Sequence, residues 1–132
     1  MSTLTASRVR PVALRGGISL TLAISGLIHA DLYIHGYRYV ATVGPAFLLQ
    51  ASVFVALAVL IAVGGPRWLF WVGGLGALGS LVAFALSRTV GIAGFVERGW
   101  APAPQAALSV IAEVLTVVLC AVAVFTRGRT AG

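Results

Sequence analysis

The stretch Ala106-Ala107-Leu108-Ser109-Val110-Ile111-Ala112-Glu113-Val114-Leu115-Thr116-Val117-Val118-Leu119-Cys120 holds one ionisable acid among small and apolar side chains. About 20 largely apolar residues cross about 30 Å of hydrocarbon, and the run from Gln105 to Phe125 reaches that length. An acid at such depth is costly and marks a functional-site hypothesis whose partner has to be named. Three further runs have the same character: Val12 to Ala30, Pro45 to Val63 and Trp68 to Leu86. The expected fold is all-α, a bundle of four transmembrane helices forming one domain over residues 1–132.

Composition agrees. The chain is 60% hydrophobic and 9% charged, with a mean hydropathy of +1.05, whereas soluble domains carry about 25% charged residues. All nine basic residues are Arg, against Asp31, Glu97 and Glu113, for a net charge of +6. The pI near 11.2 reads as membrane topology rather than a nucleic-acid footprint, because the arginines fall at helix ends and basic residues stay cytoplasmic. With the N-terminus inside, Arg8, Arg10, Arg15, Arg67, Arg127 and Arg129 are cytoplasmic and Arg38, Arg88 and Arg98 lie outside. Both termini are therefore expected in the cytoplasm, in a bacterial plasma membrane. Ile28-His29-Ala30 lacks the first small residue of a signal-peptidase site, so the first run reads as a retained anchor.

Gly64-Gly65-Pro66-Arg67 breaks the chain between the second and third runs, which predicts a tight helical hairpin, with Trp68 and Trp71 as interfacial anchors. The two outer connections are longer. One carries Tyr33, Tyr37 and Tyr39; the other, Arg88 to Pro104, is too rich in Gly and Pro for a fifth helix.

Helices in lipid meet through small residues and interhelical hydrogen bonds. Gly73, Gly76 and Ser80 mark such a packing face on the third run. Ala106, Ser109, Glu113, Thr116, Cys120 and Ala123 form a seam on the fourth, and Ser25 and His29 share one side of the first. At about 1.5 Å per residue, Gln50 lies roughly 7 Å and Glu113 roughly 12 Å below the outer helix ends. His29, Gln50, Arg88 and Glu113 are thus expected to form a buried polar cluster in the outer half. Two readings of it stay open. In the first, Arg88 and Glu113 pair across helices while His29 and Gln50 complete a structural clasp, so that removing Glu113 alone harms stability more than removing both charges. In the second, the cluster is a ligand pocket with Glu113 as proton acceptor or cation site.

Asp31 and His35 share a face if the first helix continues, and are candidate ligand-binding residues, but two ligands make an incomplete metal site. Haem would require a second buried histidine opposite His29, and copper(I) would need soft ligands from Cys120 and Met1. No cofactor and no metal site are expected. The single cysteine excludes a disulfide framework, and no catalytic constellation is present.

Ser87-Arg88-Thr89-Val90-Gly91 closing the third run, Ala112-Glu113-Val114 in the fourth and a histidine ending the first resemble a group of small bacterial four-helix membrane proteins without an assigned activity. Members often continue Gly-Leu-Pro after the Thr-Val, where this chain has Gly91-Ile92-Ala93. The resemblance implies the four-span fold and a matched Arg88 and Glu113. Small four-helix multidrug exporters are a weaker comparison, since their glutamate lies in the first helix. The expected role is a non-catalytic accessory or assembly subunit of a membrane complex, with a membrane-protein partner or a second copy on the third helix. The alternatives are a small transporter or ligand-binding protein using Glu113 and His29, and then a haem- or metal-binding redox subunit.

Overall fold

A computed structural model describes the backbone of residues 2–130 and the side chains of residues 11–126. Helix α1 spans Ser2–Ile34, α2 Val43–Ala62, α3 Trp68–Ser87 and α4 Gln105–Thr130, with a 3-10 turn over Tyr37–Tyr39. The described residues contain no strand, only an isolated bridge between Ile92 and Phe95. Pro11–Ile34, Val43–Ala62, Trp68–Ser87 and Gln105–Thr126 are each long and apolar enough to cross a membrane. The first outruns its expected end at Ala30, which keeps Asp31 helical. The side chains of Arg8, Arg10, Arg127 and Arg129, four of the six residues behind the expected orientation, lie outside the described residues.

The bundle is apolar outside and partly polar inside. Leu20, Leu27, Leu49, Leu75 and Ile111 are exposed, while Thr21, Ser25, Ser109, Glu113 and Thr116 are buried. That inversion is what a hydrocarbon solvent favours, because only the interior offers partners to polar groups. The α4 seam at steps of three and four is buried throughout, from Ala106 to Ala123.

Helix α1 packs on α2 and α4, and α4 packs on α3. Of the neighbouring helices, α2 and α3 share the least contact, although the shortest link joins them, so the tight hairpin expected there is corrected to a pair that meets mainly through side chains. Side chains hold the two apart. The Phe54 ring lies against Gly76, where a Cβ would come within 3.2 Å of it, and Gln50 Nε2 donates across the gap to Ser80 Oγ at 2.7 Å. The link itself is tight. Gly64 is left-handed, at φ 95°. Its N–H reaches Ile61 O at 3.2 Å and that of Gly65 reaches Leu60 O at 2.8 Å, the paired bonds that close a helix with glycine.

At this end of the bundle arginines donate to backbone carbonyls of neighbouring elements. Arg15 donates to Ile61 O and Gly65 O, both at 3.0 Å, and lies over the Phe70 ring. Arg67 donates to Ala123 O at 2.9 Å. Above them Ile18, Leu22, Leu57, Ile61 and Phe70 belong to one apolar core. Thr116 donating to Thr21 at 2.7 Å marks the passage to the polar half.

Close approach depends on glycine at one point above all. A Cβ on Gly26 would lie 3.2 Å from the Ala51 carbonyl oxygen and 3.0 Å from Val55 Cγ2, so α1 and α2 would have to separate. Gly26→Ala is expected to lower unfolding stability by about 1–3 kcal/mol through overpacking. Gly79 has open space around it; Gly79→Ala should be neutral or stabilising, by up to about 1 kcal/mol through helix propensity. Thermal or denaturant unfolding in a fixed detergent distinguishes the two.

Candidate functional site

Glu113, 1% exposed, gathers the four helices on one oxygen. Its Oε1 accepts from Ser25 Oγ of α1 at 3.1 Å, from Gln50 Nε2 of α2 at 3.0 Å, from Ser80 Oγ of α3 and from Ser109 Oγ of α4 at 3.3 Å. Ser109 precedes Glu113 by one helical turn, which places both on the same side of α4. Ser80 receives the second Gln50 N–H, so amide, hydroxyl and carboxylate form a closed triangle. Every one of these donors is uncharged.

The other carboxylate oxygen, Oε2, makes no hydrogen bond to a described residue. His29 stands one turn beyond Ser25 on α1 and is 6% exposed. Its Nδ1 lies 2.8 Å from Ser25 O. A carbonyl only accepts, so Nδ1 carries a proton and, in the neutral ring, Nε2 keeps a lone pair. Nε2 also has no hydrogen-bond partner among the described residues. Among the described residues no fully buried side-chain nitrogen or oxygen goes unpaired, so Glu113 Oε2 and His29 Nε2 must both reach open space. That space is a cavity of about 90 Å³ whose lining includes His29, Gln50, Ser80, Ser109 and Glu113. Phe47 forms part of its wall and meets the His29 ring at 4.9 Å in a T-shaped contact.

The two longer connections close this end. Tyr37 stacks on Phe47 with ring centroids 4.9 Å apart and donates its hydroxyl to Glu97, which ties the α1–α2 connection to the α3–α4 connection. Burial, and then the bond and charge of Glu97, push the Tyr37 hydroxyl above the ordinary phenol range, with Arg88 opposing them; Tyr37 is therefore a proton donor at physiological pH. In the second connection, Gly91 N–H returns to Leu86 O at 2.7 Å, Glu97 N–H reaches Ser87 O at 2.9 Å, and Ile92 and Phe95 exchange backbone bonds across a tight turn. Gly91 needs its lack of a side chain: φ is 87°, and a Cβ would strike Val96 at 2.7 Å.

Arg88 lines the cavity with Glu113 but does not pair with it. The expected ion pair is corrected. Arg88 Nη1 donates to Ser87 Oγ at 2.7 Å, Nε to Gly99 O at 3.1 Å and Nη2 to Ala101 O, and its guanidinium lies 4.0 Å from the centroid of the Phe84 ring. Arg88 follows the last residue of α3, so its long side chain reaches carbonyls of the connection at the bundle's end instead of descending into the apolar interior.

The structure thus brings His29, Gln50, Arg88 and Glu113 to one cavity, and adds Ser25, Ser80 and Ser109, whose bonds to Glu113 were not read from the sequence. Their hydroxyls were legible only as small packing groups. Asp31 and His35 lie elsewhere: His35 Nδ1 sits 3.1 Å from Asp31 Oδ1, with both side chains exposed. Among the described residues no three His, Cys, Asp or Glu side chains could hold a metal ion together. Cys120 is buried in the apolar half. Of the residues expected to mark a packing face on α3, Gly73 lies against Leu22 and Gly76 against Phe54, and Ser80 bonds to Gln50 and Glu113; Gly79 has open space around it.

The fold and site define a class: an all-helical protein with four helices long and apolar enough to cross a membrane and, at one end of the bundle, a largely apolar cavity lined by a few polar groups. No family model, curated protein or solved structure matches the chain.

Two measurements check this geometry. Glu113→Ala strands donors on all four helices and is expected to cost about 1–3 kcal/mol. With no shared partner, Arg88→Ala should add to it within about 0.5 kcal/mol; a double-mutant cycle showing larger coupling would restore the ion pair. Tyr37→Phe keeps the stack on Phe47 and removes the bond to Glu97. Amide exchange at Glu97, whose N–H bonds to Ser87 O, should then quicken by about tenfold, since hydrogen bonds to charged groups contribute about 1.5–3 kcal/mol.

Proposed function

We propose that this is a multi-pass membrane protein that binds a small ligand in the cavity between its helices, with Glu113 and His29 as the principal contacts. One observation carries the reading. Two almost fully buried side chains each leave a polar atom without a protein partner, and both atoms open onto the same cavity. A buried polar atom without a partner costs free energy, and pockets for small molecules combine apolar walls with a few convergent polar groups of this kind.

The accessory-subunit role, with α3 as an available contact face, is the second reading; Gly79 on that helix has open space around it. Ligand binding is the better-supported function. The arginine balance of six against three puts the cavity on the outer side of the plasma membrane, with both termini cytoplasmic.

Cysteine accessibility tests the reading. Ala106 is buried and lines the cavity, whereas Cys120 is buried in the apolar half. In intact cells the Ala106→Cys variant is expected to react with externally added 2-aminoethyl methanethiosulfonate, while the wild-type chain, with Cys120 alone, stays unmodified. A variant that reacts only after unfolding would make the cavity a closed packing defect and Glu113 a clasp alone. Reaction only from the cytoplasmic side would keep the ligand site and reverse the orientation.

A further inference from the structure

The hydrogen-bond inventory of the cavity identifies the kind of ligand it fits. Every hydroxyl on its wall has spent its proton: Ser80 and Ser109 on Glu113, Ser87 on Phe84 O and Tyr37 on Glu97. The Gln50 amide has spent both N–H groups, on Ser80 and Glu113, and His29 donates to Ser25 O. Among the described residues, three side-chain acceptors of the lining take part in no hydrogen bond at all, Glu113 Oε2, His29 Nε2 and Gln50 Oε1, while the hydroxyl oxygens keep further lone pairs. The only unspent donors belong to Arg88, which is turned toward the carbonyls of the α3–α4 connection. The deep part of the cavity accepts hydrogen bonds and offers none.

Charge points the same way. At the mouth, Arg88 and Glu97 act on the Tyr37 hydroxyl with opposite sign. Glu113 is the one carboxyl group in the cavity lining, and the groups that donate to it are all uncharged. An anion would meet it without a compensating base, and a cation would complete it. The walls add Phe47 and Phe95, whose ring faces attract a cation through their quadrupoles.

We propose that the cavity binds a small primary ammonium, its three N–H groups directed at Glu113 Oε2, His29 Nε2 and Gln50 Oε1 and its short carbon tail between Phe47 and Phe95. This rests on the ligand-binding reading above. Size sets the tail: a cavity of about 150 Å³ holds a benzene-sized guest, so the space here, about 90 Å³, suits two or three carbons. A primary ammonium has three donors for three acceptors. Transition metals are excluded on ligand count, since one carboxylate and one imidazole fall short of the three or four ligands such ions take.

The probe is ethylammonium chloride, acting on the full chain carrying Ala106→Cys in lipid nanodiscs, with ethanol as the neutral analogue and sodium chloride as the inorganic cation. A ligand of three heavy atoms is limited to a Kd of about 1 mM or weaker. At about ten times its Kd, ethylammonium should slow modification by 2-aminoethyl methanethiosulfonate about tenfold, because only the unliganded cavity reacts. Ethanol and sodium should leave the rate unchanged, and Glu113→Gln in the same background should abolish the protection. Equal protection by ethanol or sodium overturns the ammonium assignment. Entry of the reagent with no protection by ethylammonium overturns it too, while leaving a ligand-accessible cavity. The reagent is larger than ethylammonium, so where it never enters, dialysis of labelled ethylammonium against the wild-type protein decides, and absence of binding then overturns the ligand-binding reading itself. Where Glu113→Gln does not fold, dialysis of isotopically labelled ethylammonium against the wild-type protein decides: binding at millimolar concentration is expected, and none overturns the proposal.

Discussion

One oxygen atom of Glu113 holds the polar half of this bundle together. Four uncharged donors, one or more from each helix, converge on Oε1, so the position of every helix at that level is referred to a single point. In an interior of low dielectric such bonds are stronger than in water and polarise one another. A carboxylate solvated in this way needs no adjacent cation, which frees Arg88 to fasten the α3–α4 connection. The arrangement also explains the small residues around it. Ser25, Ser80 and Ser109 bring a hydroxyl close to the helix backbone, so the helices can approach the carboxylate from four directions without a long side chain between them.

The two halves of the bundle follow from this difference in filling. Toward the Gly64–Pro66 turn, Ile18, Leu22, Leu57 and Ile61 pack an apolar core, and Arg15 and Arg67 tie that end together through bonds to backbone carbonyls of other elements. Toward the other end, serines and a glutamine replace the branched aliphatics, and side chains committed to Oε1 cannot also fill the space beside it. The cavity is the volume left by that commitment. Its aromatic wall comes from α2 and from the longer connection, through Phe47 and Phe95, and the Tyr37 to Glu97 bond draws the two connections together above it.

Much of this was written in the sequence, and the failures are informative. Length and apolarity placed the four membrane-length segments to within a few residues, because in a hydrocarbon solvent little else can be done with such runs, but not the start of α1 at Ser2. The α4 seam was legible because small and polar residues recur there at helical spacing. The ion pair between Arg88 and Glu113 was not, because matching opposite charges ignores competition. An arginine just past a helix end finds carbonyls within reach and avoids the cost of reaching into the apolar interior. Nor did a short link between α2 and α3 predict close packing, since a turn fixes helix ends and leaves their faces to the side chains between them, here Phe54 and Gln50. The serine partners of Glu113 were hidden for a different reason. A serine on a packing face has the same sequence signature whether its hydroxyl returns to its own helix, as Ser87 does to Phe84 O, or crosses to another, and only the relative register of the helices decides.

The two oxygens of Glu113 divide the work between them. Oε1 spans the helices, and in the proposed binding mode Oε2 faces the ligand, yet they share one delocalised charge. A cation at Oε2 draws that charge toward itself and weakens the hold of Oε1 on Ser25, Gln50 and Ser80; release of the cation restores it. Occupancy of the cavity and the grip on the four helices are therefore thermodynamically linked, and by reciprocity whatever separates the helices changes the affinity of the site by the same factor. The side between α2 and α3 is where that linkage would act first. Of the neighbouring helices those two share the least contact, and in the polar half the Gln50–Ser80–Glu113 triangle spans the gap between them. A ligand that loosens the triangle loosens the side of the bundle with the fewest other contacts to resist it.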